Sequence, residues 1–292
     1  MTIKQALNKG MIMLKTNNID SPKLKARLLL QYILDIKREQ IIIYDNHEIT
    51  FEQEKEYMKY LQKLIKGIPL QHITNTQEFM KMNFYVNSDV LIPRPDTEVL
   101  VEEVIKLGKV KRNPAILDLC TGSGAIAVSL AKYLPNAKVY ASDISKKALE
   151  VAQINAENND VADRIEFIRS DLFEKLEGMK FDIIVSNPPY IKTAVIKTLD
   201  HEVQEEPIIA LDGGKDGLKF YREIVEEAYS HLKFESHLCF EIGYDQKEEV
   251  TEIIQNAKVY TGTYCKKDLH GNNRVIVTNV WDKHYCEKYV KN

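Results

Sequence analysis

The sequence predicts an α/β protein: a doubly wound sheet of seven strands, mostly parallel with an antiparallel last strand, preceded by a small helical domain and a β-hairpin linker. Three observations predict it. From Ala115 onward the β-rich runs "AILDLC", "KVYAS", "RIEFIR", "FDIIVS" and "HLCFEIG" alternate with helical stretches over 125–134, 145–158 and 215–233, the pattern of parallel strands joined by crossovers. The last two runs, "KVYTGTYC" and "RVIVTNVW", are joined by only "KKDLHGNN", too short for the crossover that neighbouring parallel strands need. The first seventy residues carry cap signals and helical spacing instead.

At the start of the chain, Thr2 and Gln5 form a capping-box pattern ahead of Ile3, Ala6, Leu7, Met11 and Leu14 at helical spacing. Ser21-Pro22 places an N-cap before a first-turn proline, and Thr50 with Gln53 repeats the box in a helix that Gly67 and Pro69 end. These residues, 1–75, form the expected helical domain. Over 76–95 the pattern becomes "EFMKMNFYV" and "VLI", bounded by Asn87, Ser88, Asp89, Pro93 and Pro95, which predicts a hairpin linker. "DTEVLVEEVIKLG" then opens the main domain, 96–292, with an acidic cap and a stripe through Val99, Leu100, Val104 and Leu107.

Composition narrows the function classes. The net charge is -3, and residues 1–80 hold 12 Lys/Arg against 9 Asp/Glu while the remainder holds 28 against 34, which argues against strong nonspecific binding to nucleic acid. Cys120, Cys239, Cys265 and Cys286 form no C-x-x-C pair, so neither a disulfide framework nor a zinc or other metal site is suggested. No apolar run approaches the roughly 20 residues that span a bilayer, and the start "MTIKQALNKG" lacks a secretory stretch; a cytoplasmic address is expected.

Two loops carry the chemistry. The first predicted strand ends in "DLCTGSG", where Gly122 and Gly124 remove side chains at the point a cofactor must approach the backbone, and Ala127 supplies the third small position of a G-x-G-x-x-A pattern. Asp143 ends the second strand where a carboxylate can accept the hydroxyls of a ribose; Asp171 and Leu172, after the third, can edge an adenine. These features predict an adenosine-type cofactor without separating NAD from S-adenosylmethionine.

The second loop is "VSNPPY". In a doubly wound sheet the first and fourth strands become neighbours, so Asn187-Pro188-Pro189-Tyr190 should face the glycine loop across the switch point. Proline has no N–H for a ladder, so the pair ends the strand and stiffens the turn after it. Asn187 offers a side-chain oxygen, Pro188 a carbonyl and Tyr190 a ring, a set suited to a planar nitrogen whose N–H groups must be oriented as charge develops. Alignment of reactants supplies about 7–11 kcal/mol and one preorganised hydrogen bond about 3–4 kcal/mol, so no strong general base is required.

With those residues in hand, "DLCTGSGAIAVSLA", Asp143, "FDIIVSNPPYI" and "KDLHGNNRVIV" resemble class I S-adenosylmethionine-dependent methyltransferases, with their Rossmann-like sheet. Together with "PLQHITNTQEF", "VLIPRPDTEVLVE" and "EEPIIALDGGKDGL" they resemble the peptide chain release factor glutamine methyltransferases over most of the chain. The resemblance implies transfer of a methyl group from S-adenosylmethionine to the side-chain amide nitrogen of the glutamine in the Gly-Gly-Gln motif of bacterial class I release factors. It implies a cofactor set of Asp118, Cys120, Thr121, Gly122, Ser123, Gly124, Asp143, Asp171 and Leu172, with Asn187 shared. Asn187, Pro188 and Tyr190 form the catalytic set, and Asn187 to Tyr190 (including Pro189) with Arg94 and Pro95 form the substrate side. Glu98 would help seat the methionine end. A monomer docking its substrate through the helical domain is expected, with no nucleic acid or membrane partner. Cys120 and Asn75 stand where that family usually has glycine, and Leu172 where some members carry an aromatic residue. Two other readings fit parts of the pattern: an amino-methyltransferase acting on adenine or cytosine in nucleic acid, and a scaffold that binds a translation factor without catalysis.

Overall fold

The computed structural model describes residues 1–280; Cys286 and Trp281, the end of the last predicted run, lie outside the described residues. The chain divides into two units, one made of Met1–Thr76 with Asp200–Glu205 and the other of Gln77–Leu199 with Glu206 onward.

In the helical unit, α1 (Ile3–Thr16) and α4 (Phe51–Ile65) both begin with complete capping boxes, Thr2 with Gln5 and Thr50 with Gln53. Between them lie α2 (Pro22–Leu34) and α3 (Arg38–Ile43), and α5 (Leu70–Thr74) comes after. Ser21 departs from expectation: it sits at φ 48 and its side chain makes no cap bond, so the fixed φ of Pro22 starts α2 instead. Gly67, at φ +90, follows the end of α4. Leu14, Leu29, Leu30, Leu61 and Leu64 meet in a fully buried core around Tyr57, whose hydroxyl donates to Ala26 O at 3.1 Å.

In the second unit, β1 (Thr76–Phe79) and β2 (Met82–Tyr85) form a hairpin whose two turn residues, Met80 and Lys81, are both left-handed (φ 50 and 58). The segment expected as a linker groups with this unit because Phe79 and Phe84 meet edge to face at 5.9 Å and bury in its core. "VLI" forms no strand; Val90 and Ile92 are buried from a loop. A short turn, Pro95–Thr97, leads into α6 (Glu98–Lys109). The acidic cap is absent, because Asp96 turns its carboxylate to Arg274 at 3.2 Å rather than to the helix N–H groups.

The sheet contains β3 (Ala115–Leu119), β4 (Lys138–Asp143), β5 (Ile165–Arg169), β6 (Phe181–Ser186), β7 (Leu232–Glu241), β8 (Thr261–Lys267) and β9 (Asn273–Val280) in the order β5-β4-β3-β6-β7-β9-β8. β9 runs antiparallel to both its neighbours, as the short β8–β9 connection requires. The intervening helices are α7 (Ala125–Tyr133), α8 (Lys146–Asn158), the single turns α9 (Thr193–Ile196) and α10 (His201–Gln204), α11 (Lys219–Ala228) and α12 (Lys247–Asn256). α12, not anticipated from the sequence, buries Val250 and Ile254 and packs Ile253 beside them. One core joins the sheet to α6 and α7, and a second joins it to α11 and α12. α10 lies in the segment that groups with the helical unit, where Glu202 pairs with Lys25.

Gly10 of α1 tests the packing. A Cβ there would lie 2.1 Å from Tyr57 Oη, an atom held by its bond to Ala26. Alanine ordinarily strengthens a helix by about 1 kcal/mol over glycine, but overpacking costs about 1–3 kcal/mol. Gly10→Ala should therefore lower the stability of the helical unit in urea unfolding followed by amide exchange; a stabilised variant would contradict this packing.

Candidate active site

The site begins at the switch point. β3 pairs with both β4 and β6 in parallel, Leu119 opposite Ser186, and the Ser186 hydroxyl donates to Leu119 O at 2.8 Å. The two chains then diverge, one into the glycine loop and one into Asn187-Pro188-Pro189-Tyr190.

The glycine loop is held from below and behind. Asp118 is fully buried beneath it, accepting the Thr121 hydroxyl at 2.6 Å and the Ala127 N–H at 3.1 Å through one oxygen. Its other oxygen has no hydrogen-bond partner among the described residues, and burial pushes its pKa up to about 7 against those two donors. Gly124 takes φ +78 and a Cβ there would lie 2.9 Å from that of Ala152, so both backbone and packing exclude a side chain. Asn155, buried in α8, donates to Ser123 O at 2.8 Å and exchanges bonds with the Tyr85 backbone, tying hairpin and loop together. No sequence motif marks Asn155, since its partners are remote in the chain.

Asp143 faces the loop from the end of β4, accepting Gly122 N–H at 2.9 Å and Ser145 N–H at 2.8 Å. Burial raises its pKa in spite of these bonds.

On the opposite side, the Asn187 amide donates to the Thr97 hydroxyl at 3.5 Å. The backbone of the turn is clamped: Gln246 donates to Tyr190 O at 3.1 Å and to Gly217 O at 3.2 Å, and a Cβ on Gly213 would stand 2.7 Å from Tyr190 Cα. The glycines of "LDGGKDGL" thus let a second loop lie directly against the turn. Tyr190 points down and away from the cavity, its hydroxyl donating to Glu241 at 3.3 Å, and burial raises its pKa. Glu241, fully buried, is pushed up to about 7 by burial, opposed by the Thr97 and Tyr190 hydroxyls and the Arg274 guanidinium. Arg274 also pairs with Asp96 and Asp268, each at 3.2 Å, which gives "KDLHGNNR" a place beneath the turn.

One cavity of about 290 Å³ joins the two halves. Of the residues expected to hold the cofactor, Cys120, Thr121, Gly122, Ser123, Asp143, Asp171, Leu172 and Asn187 line it, whereas Asp118 and Gly124 support the loop from beneath. Of the expected substrate residues, Asn187, Pro189 and Arg94 line it; Pro188 and Tyr190 do not, and Pro93 rather than Pro95 reaches it. Arg94 is ion-paired to the buried Glu206, which also accepts Ile92 N–H at 3.0 Å. Glu98, expected to help seat the methionine end, accepts Met80 N–H of the hairpin at 2.6 Å and does not line the cavity.

The cavity fits S-adenosylmethionine on the protein's own terms. A Cβ on Gly122 would meet nothing within 4 Å, so the loop backbone is open to a ligand there. A carboxylate accepts about four hydrogen bonds, and Asp143 accepts two backbone N–H groups from the protein, leaving capacity for two ribose hydroxyls. Ile144, 43% exposed, and Leu172 give the cavity apolar walls for a flat base.

Comparison with known proteins agrees. The family model described as Methyltransferase small domain matches residues 95–209, and the one described as PrmC N-terminal domain matches residues 5–74. A "Release factor glutamine methyltransferase" of Clostridium acetobutylicum is 40% identical over 282 residues, covering 95% of this chain and 98% of its own. One of Moorella thermoacetica is 39% identical over 277 residues, covering 95% and 98%. In fold alone, the chain is similar to the crystal structure of a methyltransferase from Pyrococcus furiosus, with a TM-score of 0.52 at 17% identity over 77% of this chain and 99% of that one. Fold, cavity and family model together define an S-adenosylmethionine-dependent methyltransferase. The chain belongs to the release factor glutamine methyltransferase family.

The raised Asp118 has a measurable consequence. Between the unfolded carboxylate value, about 3.9, and about 7, the folded protein keeps a proton that the unfolded chain has released. Stability therefore falls as pH rises through that window, and Glu241 acts in the same direction. Asp118→Asn should make the slope of unfolding free energy between pH 5 and 7 less negative, by up to about 1.4 kcal/mol per pH unit. Urea unfolding at three pH values measures it; an unchanged slope would place the Asp118 titration below that window.

Proposed function

We propose that this enzyme methylates the side-chain amide nitrogen of the glutamine in the Gly-Gly-Gln motif of a peptide chain release factor, acting as a monomer and without nucleic acid. The observation that carries this is Asn187: it lines the same cavity as the glycine loop and is fed from a turn clamped on both sides. The relatives' names and the match to the N-terminal family model support the choice of substrate.

When bound, S-adenosylmethionine supplies a methyl group activated by its sulfonium. Asp143 and the open backbone at Gly122 would hold the cofactor in the cavity. Asn187 turns a side-chain oxygen toward the acceptor's N–H groups, aligning a nitrogen whose lone pair is otherwise delocalised and stabilising it as it becomes positive. The transfer would form the N–C bond as the sulfonium S–C bond breaks, its electron pair leaving with the neutral thioether, and the surplus N–H proton would go to solvent, so no side chain need act as a strong base. Arg94, held by Glu206, and Ile209 lie along the same cavity and would border the incoming loop.

Purified release factors incubated with labelled S-adenosylmethionine, with nucleic acid present as a competitor, should carry one methyl group on that glutamine by mass mapping. A methyl group found only on a base would overturn the proposal. Asn187→Ala should slow single-turnover methylation by about 10²–10³-fold, as for loss of one preorganised hydrogen bond. Its affinity for S-adenosylmethionine, measured by calorimetry, should change far less.

A further inference from the structure

Glu206 lies in "EEPIIALDGGKDGL" and no sequence motif gave it a role, yet it is 3% exposed and engages both of its carboxylate oxygens. One oxygen receives the Arg94 guanidinium, and the other accepts Ile92 N–H at 3.0 Å. Arg94 lines the cavity with Leu91 and Pro93. Pro207, Ile209 and Ala210, which follow Glu206 in the chain, line it too. One buried carboxylate thus joins two segments of the cavity wall that lie 112 residues apart, and Pro207, at φ -63, fixes the chain just beyond it.

The second segment runs beside the Asn187–Tyr190 turn. The N–H of Ile191, the residue after Tyr190, donates to Leu211 O at 2.9 Å, and Gly213 N–H donates back to Ile191 O at 2.8 Å. Glu206 and Arg94 therefore serve the half of the site that holds Asn187. An arginine carries five N–H donors in a planar fork and no acceptor. Glu206 takes Nη2; the other nitrogens of Arg94 make no hydrogen bond among the described residues, and the side chain is 38% exposed. Its charge is offset by the buried carboxylate, so it meets the cavity as a set of N–H donors more than as a free cation. Such donors suit neutral carbonyl oxygens. In a Gly-Gly-Gln loop the glycines have no side chains, so only their main chain can be held.

We propose that Glu206 is a positioning residue: it holds the Arg94 guanidinium at the cavity with N–H groups set to receive a main-chain carbonyl oxygen of the loop that carries the accepting amide. The carbonyl partner rests on the proposed amide acceptor; the hold of Glu206 on Arg94 does not. The pair acts on binding of the accepting protein, because neither residue supplies the acceptor that aligns the reacting nitrogen.

Glu206→Gln keeps the size but has one oxygen, so it can serve Ile92 or Arg94 and not both. Arg94→Met keeps the stem and removes the donors at a partly exposed position, so it reads the same contact should E206Q fail to fold. In the full chain, the Arg94 guanidinium ¹⁵N–¹H signals, identified by their loss in R94M, should move and exchange faster with solvent in E206Q. Unmoved signals would overturn the proposal whatever the enzyme methylates. With a release factor as acceptor, R94M should raise KM for that protein by about 10- to 100-fold and E206Q by about tenfold. In both, kcat and the affinity for S-adenosylmethionine should stay within about threefold of the parent. The double variant should match R94M within about twofold, because Glu206 acts through Arg94. An unchanged KM in R94M, losses that multiply in the double variant, or a loss of cofactor affinity matching the rise in KM would each overturn the role. If the parent methylates no release factor, the acceptor assignment fails, while the guanidinium signals still decide whether Glu206 holds Arg94.

Discussion

The pairing of Leu119 with Ser186 across β3 and β6 is the constraint on which the site depends. It sets two loops of unrelated sequence side by side at the carboxyl ends of parallel strands, where a doubly wound sheet leaves its crevice. In a strand the side chains alternate between faces, so a slip of one residue would turn Asp118 out from under the glycine loop and reverse Ser186. The Ser186 hydroxyl on Leu119 O pins that register at its last rung. Beyond the rung, each loop needs its own support: Asp118 and Asn155 for one, Gln246 and Gly213 for the other.

Both halves rest on a buried carboxylate. Asp118 lies under the glycine loop and Glu241 under the Asn187–Tyr190 turn, each fully buried with one oxygen lacking a hydrogen-bond partner among the described residues. Burying such groups costs free energy that an apolar residue would not. The cost is local and is offset by two extensive apolar cores on the faces of the sheet. The carboxylates contribute direction: Asp118 is an acceptor on which Thr121 and Ala127 converge, and Glu241 accepts the Tyr190 hydroxyl.

How much of this could be read from the chain depended on how far apart the partners lie. Thr2 with Gln5 and Thr50 with Gln53 are three residues apart, and the structure forms both boxes. The alternation of strands and helices and the short β8–β9 connection depend only on local pattern and length, and they specified the sheet. Ser21 and Asp96 show the limit of local signals: each is a good capping residue, but the proline fixes α2 without a cap bond and Arg274 claims the aspartate. Asn155 serves a backbone 70 residues earlier, Tyr190 meets Glu241 51 residues later, and Thr97 meets Asn187 90 residues on, so none of these pairings leaves a periodic trace.

Three departures from the family's usual pattern share one physical feature. Cys120, Asn75 and Leu172 all adopt left-handed backbone, at φ 60, 52 and 41. Glycine is the natural residue for such conformations because it has no Cβ to crowd the carbonyl, which accounts for its frequency at the first two positions. Asparagine tolerates the region, so Asn75 can end α5 at small cost. Cys120 and Leu172 carry a larger penalty, of about 1–2 kcal/mol each, and both line the cavity. Cys120 is set there by the turn that carries the chain from β3 into the glycine loop, with Thr121 N–H bonded to Ser142 O at 3.0 Å on the neighbouring strand. The strained residues thus lie where the chain must leave the sheet sharply, and the same sharp departure opens the backbone at Gly122 to a ligand.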